Sequence, residues 1–269
     1  MSHQKCYLKR DGILSNITVW LPKQYGAWAM LLAPALAGVL LAGFHWQNLL
    51  VLLAWTTAYL AFMAVLGMLA GRQKQAHVVA AAVYAVAALA MIAALLWWRL
   101  ALVWWGVPLA LLLGTAMVMT VAGRQRSTVN DACLIGASCL MTAVSATCLQ
   151  LPASLALGGF AQAVAQPIAW LATAIMAGYF LGTIPYIKTM IRERGHKGWY
   201  IASVAYHCLI VVLAVVTLRP ALIAFAVLIT ARAAVVPKVW PRAKPKHIGL
   251  GEMAGTVIIL VIIWLTLVH

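Results

Sequence analysis

Long, nearly unbroken apolar runs constrain this chain more than any other feature. They lie at approximately 27–44, 48–70, 76–97, 100–122, 129–151, 167–187, 199–218, 219–236 and 249–268. Each is near the roughly 20 residues that carry a helix across a bilayer. The apolar residues are continuous rather than alternating. A barrel strand would alternate, and helices are the spanning element that satisfies its own backbone hydrogen bonds within one segment. The expected fold is an all-α integral membrane protein, a bundle of about nine transmembrane helices. It forms a single transmembrane domain over residues 1–269, because the runs use almost the whole length and no linker separates two groups of them.

The charges decide the expected orientation. Of the 19 Lys and Arg residues, all but Arg99 and Arg219 fall in or beside the segments before the first run and after the second, fourth, sixth and eighth. Lys and Arg near membrane spans are kept on the cytoplasmic side. The N-terminus is therefore expected inside and the C-terminus outside. Residues 1–24 read as a cytoplasmic segment, mixed and polar, with no small-residue cleavage site after a short apolar core, so the first run is expected to be retained. Residues 237–248 read as a stiff, Pro/Lys-rich cytoplasmic loop.

Composition removes several function classes. The chain is 65% hydrophobic, against roughly 45–50% for a soluble domain. Its net charge of +15 is divided among short loops beside spans, so membrane lipids, not nucleic acid, are the expected partner. The five cysteines (Cys6, Cys133, Cys139, Cys148, Cys208) form no CxxC pair and no zinc-finger spacing, and they read as small apolar packing residues. Only four acids occur: Asp11, Asp131, Glu193 and Glu252. The paired carboxylates that would hold Mg²⁺ against a diphosphate are missing from the second span and the loop after it. No Ser-His-Asp set or P-loop can be drawn. No metal or cofactor site is expected.

The candidate binding residues are basic and polar groups on the inferred cytoplasmic side. Lys23, Gln24 and Tyr25 open the first span and would form a polar rim, or else an interfacial anchor. Arg72 follows the second run, and Arg124 and Arg126 follow the fourth. The densest group runs from Pro185 to Lys197. Lys188 and Arg192 are spaced to share a helix face, with Tyr186 before them and Arg194 beyond. Such a group either stops the helix at the surface or clamps a phosphate or carboxylate, to which Arg offers paired donors. His207 lies inside the seventh run, where a polar residue is costly, and is satisfied by a neighbouring helix or functional. Asp131 and Glu252 begin the fifth and ninth runs, where the helix dipole favours acids; each is either placed there for that reason or functional, and a basic loop is a candidate partner. Trp97, Trp98, Trp104 and Trp105 bracket Arg99 and read as interfacial anchors at the opposite surface.

With these residues assembled, the chain resembles the YwiC-like family of bacterial membrane proteins. The resemblance is carried by Pro22-Lys23-Gln24-Tyr25-Gly26-Ala27-Trp28-Ala29-Met30-Leu31, continuing to Ala33-Pro34 and Gly38. It is carried also by Tyr186-Ile187-Lys188-Thr189-Met190-Ile191-Arg192-Glu193-Arg194-Gly195 and by Lys244-Pro245-Lys246-His247-Ile248-Gly249. Tyr25 stands where His is expected in the family. The resemblance implies a multi-pass protein of the bacterial inner (cytoplasmic) membrane and no particular activity. More distantly, the topology is similar to the UbiA superfamily of intramembrane prenyltransferases. That likeness implies nine helices, an internal N-terminus and a cytoplasmic-side pocket capped by the loops after helices two and six. The Asp-rich motifs of that superfamily are absent: aligning Gly195 with the glycine of its second motif puts Ile187 and Ile191 at the acidic positions. Mg²⁺-dependent prenyl transfer is therefore not expected, and catalysis of another kind stays open.

Three readings of function remain at this point. The first is a pocket for an amphiphile with an anionic head, of prenyl or phospholipid type, bound by Lys188, Arg192 and Arg194 with Lys23 and Arg72. The second is a small-solute transporter, although no internal repeat or matching pair of broken spans is visible. The third is a structural subunit of a larger membrane complex.

Overall fold

The computed structural model describes residues 20–21, 25–69 and 74–269, with the side chains of Tyr25 and Lys74 excluded. Among these residues the regular structure is all helical, with no strand. The helices are α1 (Tyr25–Ala42), α2 (Trp46–Leu69), α3 (Lys74–Trp98), α4 (Val103–Val121), α5 (Thr128–Thr147), α6 (Leu157–Val164), α7 (Pro167–Ile187), α8 (Lys197–Val216), α9 (Pro220–Val239) and α10 (Pro245–Ile263). Eight of them, α2 to α5 and α7 to α10 with their extensions, are long and apolar enough to cross a membrane. The ninth long helix, α1, supplies a shorter apolar stretch over Gly26–Ala42. Each apolar run of the sequence thus becomes one helix, and the chain is a multispanning helical membrane bundle.

Local chemistry sets the helix ends. Ser127 caps α5, its hydroxyl accepting from the Asn130 amide at 3.1 Å, and Asp131 lies in the same first turn. Pro167, Pro220 and Pro245 occupy first-turn positions, where a missing N–H costs nothing. Gly43, with φ of 83°, turns the chain between α1 and α2 in a conformation that other residues adopt at a cost.

One correction to the sequence reading follows from these ends. The Pro/Lys-rich loop is shorter than 237–248: α9 continues through Pro237 and Lys238 to Val239, and α10 already begins at Pro245. Proline is tolerated here because Pro245 opens a helix, where it has no hydrogen bond to lose. Between α5 and α7 the chain also forms the short helix α6.

α5 is the centre of the bundle. It is the least apolar of the eight spans, yet 61% of its spanning stretch is buried, against 11% for α4 and for α8. Its buried polar side chains are small ones, including Ser138, Thr142, Ser145 and Thr147. Small residues let helices approach closely in lipid, where apolarity alone gives no preference for the interior. α1 crosses α5 at Gly38, where an added Cβ would overlap the Thr142 carbonyl oxygen and come within 2.7 Å of Ser145 Cβ. The Thr142 hydroxyl donates to the Pro34 carbonyl at 2.9 Å across the same crossing.

Two apolar clusters share this spine. One joins α1 and α5 to α7, α9 and α10 through residues such as Met176, Phe180, Phe225 and Ile259. The other joins them to α2, α3 and α4 through Val51, Leu95, Trp105 and Met141. Trp105 therefore departs from its three neighbours. It is 4% exposed and packs edge-on against Phe160 of α6, whereas Trp97 is 95% exposed.

Candidate functional site

Three of the basic segments meet at one end of the bundle, around the last turns of α7. Lys188–Arg192 extends α7 as a wider π-helical turn, closed by the Glu193 amide donating to the Lys188 carbonyl at 2.7 Å. Lys188 and Arg192 share a face, as their spacing predicts, and that face looks onto the first turn of α5. Lys188 Nζ donates to the Thr128 hydroxyl at 2.7 Å and lies 4.3 Å from the Trp199 ring centre. Arg192 Nη1 donates to Asp131 Oδ2 at 2.8 Å. Arg194 faces elsewhere: its Nη2 donates to the Ala243 carbonyl at 2.7 Å, and its Nε donates to the Met190 carbonyl. It ties the α7–α8 connection to the α9–α10 connection.

A second ion pair lies deeper. Arg232 Nη1 of α9 is 3.0 Å from Glu252 Oε1 of α10, with the two side chains 20% and 9% exposed. The Tyr179 hydroxyl sits beside Glu252 Oε2 at 3.2 Å and donates to the Glu252 carbonyl at 2.9 Å, and the Tyr186 ring lies 4.3 Å beneath the Arg232 guanidinium. Gly255 leaves room for Tyr179 here, since a Cβ would overlap its hydroxyl. Both span-edge acids thus pair with basic residues, Asp131 with the basic segment after α7 and Glu252 with a cation inside α9 rather than in a loop.

The two pairs differ in what adjoins them. Asp131 and Arg192 line a cavity of about 140 Å³ with Met30, Leu134, Thr183 and Ile187. Met30, Asp131 and Leu134 also line a second cavity, of about 210 Å³, between α1, α2, α4 and α5. That one shares Trp55, Ala58 and Leu113 with a third, of about 310 Å³, which reaches Leu102, Trp105 and Val144. The walls of the second and third are almost wholly apolar. Trp55 is fixed among them by its indole N–H, which donates to the Leu31 carbonyl at 3.0 Å. From Asp131 to Val144 along α5 the series runs about 20 Å, taking a helical rise of about 1.5 Å per residue.

The remaining sequence candidates are placed as follows. Tyr186 is buried under Arg232. His207 is buried between α7 and α8, its Nδ1 2.7 Å from the Ser203 carbonyl, and Gly182 leaves it the space it occupies. Tyr25 begins α1. Lys23, Gln24 and Arg72 lie outside the described residues. Sequence reasoning singled out Asp131 and Arg192 but missed Arg232 as the partner of Glu252. The signal was present, since Arg232 is a cation well inside the eighth apolar run. The apolar walls carried no comparable mark. No group of His, Cys, Asp and Glu among the described residues has the geometry to hold a metal ion.

Comparison with known proteins bears on the same region. The family described as YwiC-like protein matches residues 21–146, which cover α1 through nearly all of α5. Every wall of the second and third cavities falls within that match. The uncharacterized protein YwiC of Bacillus subtilis is 27% identical over 195 residues, covering 71% of this chain and 74% of its own. An uncharacterized protein of Haemophilus influenzae is 24% identical over 200 residues, covering 73% of this chain and 78% of its own. No solved structure matches the chain. With the family matched over α1 to α5 and its namesake aligned along most of both chains, the YwiC-like resemblance read in the sequence holds.

Proposed function

We propose that this multispanning protein holds an amphiphile with an anionic head, in the bacterial cytoplasmic membrane and with its basic end toward the cytoplasm. The series of cavities from Arg192 to Trp105 carries this reading. It offers a cation at one end and an apolar track beyond it, on the scale of an acyl or prenyl chain. The track runs along about 20 Å of the roughly 30 Å hydrocarbon core, so a tail inside it stays at membrane depth. The head would lie against Arg192, whose guanidinium donates one N–H to Asp131 and has others to offer.

The roles of the three basic residues separate on this reading. Arg192 meets the ligand. Lys188 stays on Thr128 and Trp199 and braces the turn that presents Arg192. Arg194 fixes the connection behind it. Bacterial relatives and the one-sided distribution of Lys and Arg support the membrane and the orientation.

Native mass spectrometry in mild detergent tests the proposal. The wild-type protein is expected to retain a lipid with a phosphate or other anionic head, and to keep it in EDTA. Arg192→Gln, which removes the cation, and Ala58→Trp, which blocks the track where two cavities meet, are each expected to lose it. No retained lipid, or equal retention in both variants, would overturn the reading.

A further inference from the structure

A further cavity at the basic end, of about 610 Å³, plays no part in that track. It lies between the α7–α8 connection and the end of α9. Arg194, His196, Lys197, Lys238 and Arg242 line it, and no carboxylate does. We infer that this cavity is a second, separate binding site, for a phosphate-bearing group with more than one negative charge.

Three features support a preformed site over a chance grouping of solvated lysines. The first is concavity. Arg194, Lys197, Lys238 and Arg242 line a common hollow, drawn from two connections of the chain, whose remaining walls include Met190, Tyr200 and Pro237. The second is fixation. Arg194 ties the two connections together through the Ala243 and Met190 carbonyls, which occupies its Nε and one Nη2 donor and leaves its Nη1 N–H groups for a ligand. The α9 side is held as well, because Trp240 stacks on His247 at 5.2 Å and Lys238 Nζ lies 5.4 Å from the Tyr200 ring centre. The third is uncompensated charge. Among the described residues, Asp131 and Glu252 are engaged with Arg192 and Arg232, and no carboxylate forms an ion pair with Arg194, Lys197, Lys238 or Arg242. A single carboxylate would satisfy one or two such donors. A phosphate dianion or a polyphosphate chain offers acceptors to all of them, and guanidinium forks match its geometry.

The phosphate could be borne by a soluble ester or by a lipid headgroup at the membrane surface, and two probes separate these sources. Inorganic tripolyphosphate is titrated calorimetrically into the detergent-solubilised full-length protein. Phosphatidylcholine nanodiscs holding the protein, with and without a minor fraction of phosphatidic acid, are compared for retained phosphatidate. Saturable, salt-sensitive binding of either probe is expected. Lys238→Gln with Arg242→Gln is expected to weaken it roughly tenfold or more, since each cation near an anionic surface contributes appreciably. Arg99→Gln with Arg219→Gln removes the same charge at the opposite end and is expected to leave it unchanged. Binding of tripolyphosphate alone identifies a soluble ligand, and binding of phosphatidate alone a lipid. Absence of saturable binding by both, or equal weakening in the two double variants when both remain monodisperse, overturns the inference.

Discussion

The two ion pairs use the same chemistry in opposite surroundings. Arg232 and Glu252 are closed in by Tyr179, Tyr186 and Thr256, and none of the principal cavities has either of them in its wall. Arg192 and Asp131 are 39% and 21% exposed and form the wall of a cavity that leads into the bundle. The closed pair holds helices together: it fastens α9 to α10 and, through the two tyrosines, to α7. The open pair fastens α7 to α5 but keeps donors in reach of anything that enters. What differs is packing and not charge. On the closed side, Gly255 lets Tyr179 fill the space beside Glu252. On the open side, Ala58 and the gap between α2 and α4 leave the space unfilled.

Breaking the closed pair should have the largest effect. Arg232→Leu strands the Glu252 carboxylate in a buried site, and removal of one partner from a buried pair costs about 3–5 kcal/mol. The expected readout is a large drop in the unfolding midpoint in detergent. Arg232→Met combined with Glu252→Leu should recover most of that loss, because the uncompensated charge is gone. If the single and double variants unfold alike, the closed pair does not work as described.

The same operation on the open pair should barely touch stability. Arg192→Leu removes a half-exposed partner, and pairs of that kind contribute about 0–1 kcal/mol. Its unfolding midpoint should stay close to that of the parent while the retained lipid is lost. A drop as large as that of Arg232→Leu would mean that the two pairs do the same job, and the comparison would fail.

The helices were legible in the sequence because a spanning segment announces itself by length and continuous apolarity. α6 was not, since eight residues beside the surface leave no such signature. The helical end of α9 was hidden by Pro237, which reads as a loop residue but sits within the last turn. Of the site, the charged end was legible: Asp131 and Glu252 stand out in a chain with four acids, and the Lys188–Arg192 spacing foretold their shared face. The walls were not. Trp55, Ala58 and Leu113 sit on helices apolar all round, where lipid-facing and interior positions have the same character and periodicity gives no face. α5 is the exception, because its serines and threonines mark the interior. A reading that followed small polar residues would have found the spine of the bundle, though not the gap beside it.

The most direct test of the account is to map where a bound lipid lies. A phospholipid with a photoreactive acyl chain and an anionic head would be incorporated with the protein into nanodiscs, activated, and its attachment sites read by peptide mass spectrometry. The account predicts attachment around Ala58 and Leu113, between α2 and α4, competed away by unlabelled lipid and lost in Arg192→Gln. Labelling spread evenly over outward residues such as Leu209 and Val212 of α8, indifferent to competitor and to Arg192, would contradict it.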